Sequence, residues 1–427
     1  MATELGIALL GAGTVGAAVA RELDAHADRL AQRSGGPLVL RRLAERDPAR
    51  LRALRLDGVT VGDDAEAAVA APDVDIVVEL LGGLNPAGTL LETALGRGLG
   101  AVTANKAVIA TGGRRLAAAV RPGSGGLAFE AAVGAAMPVL AMLRDSLRGD
   151  EVHSITAVIN GTTNHILRRL EEGDGFDRAV ADAQQRGFAE ADPSSDLDGH
   201  DAAQKLCILA WFAMGADVTP DQVQRRGIRG IEPEDLRAAS GLGSVVRLVA
   251  RAERSGAGLE LTVQPTLVPR PGHPLGDLEG ADNAVLVESD LAGRLLLRGR
   301  GAGADAAASA VLSDLVVVAR ARRERRVVPL PPAAPVPARD AEASMSEAWL
   351  RLRLAGGKGG AVGDARRTLQ QAGVTVERTT AGVDEGEVEV LTGPTSRAAL
   401  ARALEAFHAA GAPASVAQTM DRLEPLA

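Results

Sequence analysis

The 427-residue chain has no tyrosine, and aromatic residues make up only 2% of it. Leu, Val and Ala must therefore build its cores, and a 46% hydrophobic content supplies enough of them. The single cysteine, Cys207, excludes an internal disulfide and a cysteine-based zinc cage. In "KLCILA" it reads as a small packed hydrophobe. Basic residues are outnumbered by acidic ones, 47 to 55, for a formal net charge of -8. That balance speaks against nucleic acid and against an anionic membrane surface as partners. No apolar run reaches the roughly 18 residues of a membrane span. The opening "MATELGIALLGAG" carries Glu4 and no basic stretch, so it does not read as a secretion signal. The expectation is a soluble cytoplasmic protein.

What is present alternates. "LGIALL" reads as a strand, "GAGTVG" as a glycine turn, and the pattern from Val15 as a helix. "LVLRRLAERD", "VDIVVELLGG" and "LGAVTANKAVIA" give further strands separated by Ala- and Arg-rich helices. Strand–helix alternation predicts a parallel, doubly wound α/β sheet over residues 1–130. Residues 131–325 read as a mixed α+β domain for substrate binding and dimerisation, whose last helix can pack back on the first domain. Residues 326–345 are rich in Pro and Ala and read as a linker, and residues 346–427 as a small βαββαβ unit.

Gly11-Ala12-Gly13-Thr14-Val15-Gly16 fits G-x-G-x-x-G between a strand and a helix, the pattern of a dinucleotide site. At the end of the second strand, Glu45 suits a ribose 2′-hydroxyl, whereas Arg46 and Arg50 suit a 2′-phosphate. The mixture leaves NAD against NADP open, with a lean to NADP or dual use.

"GFAEADPSSDLDGHDAAQKLCILA" places Glu190, Asp192, Asp196, Asp198 and Asp201 close together ahead of Lys205. A calcium loop is excluded, because the position that needs a bidentate Glu is Lys205. A solvated turn with an Asp201–Lys205 surface pair is one reading. A site is the other: a partly buried lysine among acids can deliver a proton, and the acids can grip an amino-acid ammonium.

The pieces "GAGTVG", "VVELLGG", "VTANKAVIA", "FEAAVGAAMPVL", "INGTTNHIL", "GFAEADPSSDLDGHDAAQKL", "HPLGDLEGADNAVLVE" and "GRGAGADAAASAVLSDLVVVAR" together resemble the homoserine dehydrogenase family. The resemblance spans nearly the whole chain. It implies NAD(P)-dependent interconversion of L-homoserine and L-aspartate 4-semialdehyde, in threonine, methionine and isoleucine biosynthesis. It further implies that Lys205 is the general acid and base, with Lys106 facing nicotinamide and substrate as a second candidate. Gly187, Glu190 and Asp201 would hold homoserine. The turn residues Gly11 to Gly16, with Arg46, Lys106 and Gly303, would bind the cofactor, Gly303 from the second domain.

The family pattern also implies a monovalent cation, Na⁺ or K⁺, on carbonyl oxygens of Glu130, Val133, Ala135 and Met137. A homodimer or homotetramer is expected. The C-terminal unit resembles an ACT domain, which implies threonine as an allosteric ligand, although its first loop "GGKGGAVGD" lacks proline. Two further departures stand out. Ala306-Ala307 replaces a Pro-Thr pair, and His165 stands where an aromatic is common. His165 reads as packing or surface. The alternative functions are another Rossmann dehydrogenase acting on an amino-acid aldehyde, and a non-catalytic amino-acid sensor.

Overall fold

The computed structural model describes residues 3–52, 54–256, 258–337, 344–354, 360–382, 384–409 and 412–426. The chain forms two compact units. The first comprises Met1–Ile155, Gln204–Gln222 and Val285–Val336, and the second Thr156–Ala203, Val223–Ala284 and Pro337–Ala427.

The first unit holds a parallel sheet of β1 (Leu5–Leu10), β2 (Leu38–Ala44), β3 (Thr60–Gly62), β4 (Ile76–Glu79), β5 (Gly100–Thr103) and β6 (Leu127–Ala128). Their order is β3-β2-β1-β4-β5-β6, so the winding reverses between β1 and β4. A crevice at the carboxyl ends of such strands is where ligands bind. β1 and β4 are buried along their whole length. That accounts for their unbroken apolar runs, since a parallel sheet is covered on both faces.

One face is covered by a helix from far along the chain, Ala304–Arg323. Its Val311, Leu315 and Val318 share one core cluster with Ile7, Leu9, Ile76 and Val78. Arg322 secures the helix, donating to the Gly98 carbonyl at 2.8 Å and pairing with Asp75 at 2.9 Å. Burying a Val or Leu side chain contributes about 1.5–3 kcal/mol, so this helix is integral to the nucleotide-side unit. Residues 285–336 thus go with the first unit, although they read in sequence as part of the second domain. A helix Lys106–Ala119 packs on the later half of the helix His200–Met214, where a Cβ on Gly113 would stand 2.7 Å from Trp211. Trp211 in turn stacks on Phe129 and meets the edge of Phe212, gathering three of the scarce aromatics.

The strands of the second unit are β7 (Val152–Val158, entering from the first), β8 (Ser244–Ser255), β9 (Gly258–Pro269), β10 (Asp282–Ser289, leaving for the first), β11 (Met345–Leu354), β12 (Val376–Ala381), β13 (Glu387–Thr392) and β14 (Ala414–Arg422). They belong to one mixed sheet in the order β10-β7-β8-β9-β14-β11-β13-β12, with the strand Gly293–Arg300 beyond β10 and the two-residue strands Gln224–Arg225 and Thr395–Ser396 pairing with β9 and β11. From β11 onward the chain runs strand, helix (Gly360–Gln371), two strands, helix (Arg397–His408), strand, the βαββαβ order read from sequence. This module continues the sheet of the unit, for β14 pairs with β9 at Thr266↔Asp421 and Leu267↔Arg422. Arg351 of β11 is buried beside Asp235, at 2.9 Å, and Glu387, at 3.3 Å. Removing one partner of such a buried charge cluster costs about 3–5 kcal/mol.

Within the Pro/Ala-rich stretch, Ala334–Pro335 pairs in parallel with Ala216–Asp217, and β11 starts at Met345. Residues 338–343 of that stretch, and 356–359 of the glycine loop "GGKGGAVGD", lie outside the described residues. No described helix is long and apolar enough to cross a membrane.

Candidate active site

The glycine turn follows β1. Gly11 has φ +93°, a left-handed backbone that a side chain would strain, and a Cβ there would stand 2.8 Å from the Leu80 carbonyl. A Cβ on Gly16 would stand 2.0 Å from the Gly11 carbonyl oxygen, so only glycine lets the helix Thr14–Ala25 approach the turn. Gly13 differs: the nearest atom to a Cβ is Arg50 Nη1 at 3.7 Å, which leaves open space above the turn. As N-cap it provides no side-chain acceptor for the helix's first N–H groups. An anion takes such groups readily. Ala12, Thr14 and Val15 belong to the same turn and first helical turn.

A cleft of about 800 Å³ opens beside this turn, lined by Gly11, Gly13, Glu45, Arg46, Arg50 and Leu81 among others. Glu45 accepts the Ala12 N–H at 2.8 Å and the Asp47 N–H at 2.9 Å. Burial works against its charge, but those N–H groups and the Arg50 guanidinium prevail and hold its carboxyl below the usual range. Glu45 is thereby committed to shaping the turn. Arg46 is exposed and Arg50 half exposed along the cleft.

Lys106 opens its helix directly after Asn105, whose side chain caps the Val108 N–H at 3.3 Å. Lys205 lies one turn beyond Asp201 on the helix His200–Met214, and only 9% of its surface is exposed. Its neighbour Cys207 is buried, and burial pushes its thiol up to about 12, so it packs as a hydrophobe rather than reacting. Lys106 and Lys205 belong to the first unit, as does Gly303, which has φ +116° and caps the helix Ala304–Arg323. In sequence Gly303 reads as part of the second domain, but it goes with the first unit. The first turn of that helix is intact without the Pro-Thr pair, since the Ala307 N–H donates to the Gly303 carbonyl at 3.0 Å.

Gly187, Glu190 and Asp201 belong to the second unit. Asp201 is 5% exposed and accepts from Asn160 Nδ2 at 2.9 Å; the same nitrogen donates to Asp196 at 2.7 Å. Asn160 also caps the helix Gly161–Glu171 through its Oδ1 on the Thr163 N–H. Asn160 is not among the residues expected from sequence, although an Asn ahead of a helix in "INGTTN" is a signal for it. Glu190 has an exposed side chain, and its carbonyl accepts from Gln184 Nε2 at 3.1 Å. Gly187 ends the preceding helix at φ +74°. Phe188 receives the Thr162 hydroxyl on its carbonyl at 2.7 Å and the His165 ring at 4.8 Å between centroids. His165 also pairs with Asp182 at 2.7 Å, so it packs the loop as expected.

The remaining acids shape the turn. Asp192 accepts from the Ser194 hydroxyl at 2.6 Å, and Asp198 pairs with Arg229 at 2.6 Å. Among the described residues no group of three or more His, Cys, Asp or Glu is arranged to hold a metal ion.

The loop of Glu130, Val133, Ala135 and Met137 is buried. Ala135 has φ +47°, rare for a residue with a side chain, and marks a tightly bent turn closed by the Met137 N–H on the Gly134 carbonyl. The carboxylate of Glu130 accepts the N–H groups of Leu140 and Ala141 at 2.7 and 2.8 Å, and its own N–H donates to Asp314 at 2.7 Å. Burial raises the pKa of both acids. For Asp314, buried and beside Glu130, the rise is large.

Comparison with known proteins agrees with this geometry. Residues 11–130 match the homoserine dehydrogenase NAD-binding domain family, and residues 138–316 the homoserine dehydrogenase family. Homoserine dehydrogenase of Mycobacterium tuberculosis (strain ATCC 25618 / H37Rv) is 44% identical over 324 residues, covering 74% of this chain and 73% of that one. The crystal structure of a homoserine dehydrogenase from Thiobacillus denitrificans superposes with a TM-score of 0.92 at 34% identity, covering 99% of each chain. A hyperthermophilic archaeal homoserine dehydrogenase in complex with NADPH superposes with a TM-score of 0.63 at 27% identity, covering 74% of this chain and 97% of that one. With its glycine turn, cleft and mixed sheet, the chain belongs to the homoserine dehydrogenase family, NAD(P)-binding oxidoreductases that act on the CH–OH group of homoserine.

Proposed function

We propose that the chain works with NADP in preference to NAD, and that Lys205 handles the proton in interconverting L-homoserine and L-aspartate 4-semialdehyde. The carrying observation for the cofactor is the commitment of Glu45 to the Ala12 N–H, which leaves Arg46 and Arg50 as the basic side chains at the β2 end of a cleft whose other charged lining residues are Asp63, Asp64 and Glu66. A guanidinium suits a 2′-phosphate, and a committed carboxylate reads a ribose diol poorly. The archaeal relative's complex with NADPH supports this choice.

The bound dinucleotide supplies hydride to the aldehyde carbon, or accepts it in the reverse direction. Lys205 delivers a proton to the carbonyl oxygen as it gains charge, and removes it from the hydroxyl during oxidation. Lys205 is itself buried, and so are Leu206, Cys207 and Ile208 after it. Lys106 assists at the nicotinamide side. Glu190 and Asp201 hold the substrate ammonium with Gly187 beside them, and Asn160 fixes the Asp201 carboxylate. Gly303 approaches the cofactor.

The carbonyls of Glu130, Val133, Ala135 and Met137 suit a hard, weakly held cation such as Na⁺ or K⁺. Supporting that reading, all four residues are buried, and the turn through Ala135 is tightly bent. The βαββαβ module is the proposed seat of threonine, and the assembly a homodimer or homotetramer. Initial rates with homoserine and NADP or NAD, with and without threonine and K⁺, test these readings together. Higher kcat/KM with NAD would overturn the cofactor assignment, and a rate indifferent to threonine the regulatory one.

A further inference from the structure

Glu79 ends β4, is completely buried, and has no part in the chemistry described above. Its two oxygens face different loops. Oε1 accepts the N–H groups of Leu81 at 2.8 Å and Gly82 at 3.3 Å. Oε2 accepts the hydroxyl of Thr103, at the end of the neighbouring β5, at 2.6 Å. The Thr103 oxygen accepts the Asn105 N–H at 2.9 Å. Asn105 then donates from Nδ2 to the Gly83 carbonyl at 2.6 Å, while its Oδ1 caps the helix that starts at Lys106. The bonds close a ring. Loop 80–83, part of which lines the nucleotide cleft, is tied to the first turn of the Lys106 helix.

Proton counting explains why a carboxylate stands here. The Thr103 hydroxyl has one proton, and it is given to Glu79. Both oxygens of residue 79 must therefore accept, one from a hydroxyl and the other from two amides. A carboxylate does so. A carboxamide does not: with its oxygen toward Leu81, its NH2 opposes the Thr103 hydroxyl, whose proton loses its acceptor. Turned over, its NH2 opposes two N–H groups. A buried carboxyl group is otherwise unfavourable, and the chain keeps it where the loop that lines the cofactor cleft is tied to the start of the Lys106 helix.

We propose that Glu79 is a positioning residue for hydride transfer, setting where Lys106 stands relative to the Leu81–Gly83 turn. This rests on the reading of Lys106 as the nicotinamide-side lysine. It acts only through placement, and a displacement of about 1 Å at a reacting centre can cost about 100-fold in rate.

The test is a double-mutant cycle on the full-length enzyme with Glu79→Gln and Lys106→Ala. It reads kcat and KM for homoserine oxidation, and NADPH binding by nucleotide fluorescence without substrate. Glu79→Gln alone should lower kcat/KM by about 10- to 100-fold and weaken NADPH binding. In the Lys106→Ala background the same change should cost less than about 3-fold, because coupled residues are not additive. Thr103→Val should reproduce Glu79→Gln, and Thr103→Ser should restore the wild-type values. If Glu79→Gln does not fold, the Thr103→Val and Lys106→Ala cycle decides in the same way. Wild-type rates in Glu79→Gln, or independent losses in the cycle, overturn the proposal while the Lys106 role stands. Wild-type turnover in Lys106→Ala overturns that role and the positioning function with it.

Discussion

The side-chain amide of Asn160 stands between two carboxylates, 2.7 Å from Asp196 and 2.9 Å from Asp201. One nitrogen thus fixes the acid assigned to the substrate ammonium. Its other end caps a helix. Asn160→Ser keeps an acceptor for the cap but removes the amide NH2 that reaches Asp196 and Asp201. The KM for homoserine should rise by about 10-fold or more, the scale of a hydrogen bond to a charged group, with a smaller change in kcat. An unchanged KM would separate Asn160 from substrate binding.

Arg46 and Arg50 flank a cleft in which Glu45 is already committed to the turn. Arg46→Ala and Arg50→Ala should each lower the ratio of kcat/KM for NADP over NAD by about 10-fold, as expected for losing one charge-assisted phosphate contact. Rates with NAD should hardly move. Parallel losses with both cofactors would show that the arginines serve the shared part of the dinucleotide.

Asp314 should make stability fall as pH rises. Burial, with the Glu130 charge beside it, raises its pKa well above the ordinary carboxylate value, so the folded chain holds this proton longer than the unfolded chain does. The stabilisation from keeping Asp314 protonated is complete below the unfolded pKa and is lost as pH climbs through the folded one. Asp314→Asn keeps an acceptor for the Glu130 N–H and removes the titration. Melting temperatures across pH should show the wild type losing ground to Asp314→Asn toward alkaline pH. Parallel curves would contradict this.

Much of the nucleotide side is legible from local pattern, because a turn such as Gly11 to Gly16 has steric demands that only glycine meets. The strands β1 and β4 are equally plain as short apolar runs. What is not legible depends on distant partners. β8 escapes notice because Arg247 and Arg251 fall at helical spacing in "SVVRLVARAERS". Arg247 is buried, paired with Glu171 at 3.3 Å and donating to the Gly276 and Leu278 carbonyls. That the helix Ala304–Arg323 can pack back on the first sheet is expected from sequence, but no local spacing encodes which strands it covers, Val311, Leu315 and Val318 lying in one core with Ile7, Leu9, Ile76 and Val78. Among the acids, the family resemblance separates Glu190 and Asp201 from Asp192, Asp196 and Asp198. Only the fold shows that Asp196 shares Asn160 with Asp201.

The central assignment is proton transfer by Lys205, a buried residue one helical turn beyond Asp201. Steady-state oxidation of homoserine by Lys205→Ala tests it most directly. The expected kcat is lower by about 10²–10⁴-fold, the usual scale for a lost acid–base group, with folding and NADP binding retained. Near-normal turnover in that variant would contradict the assignment.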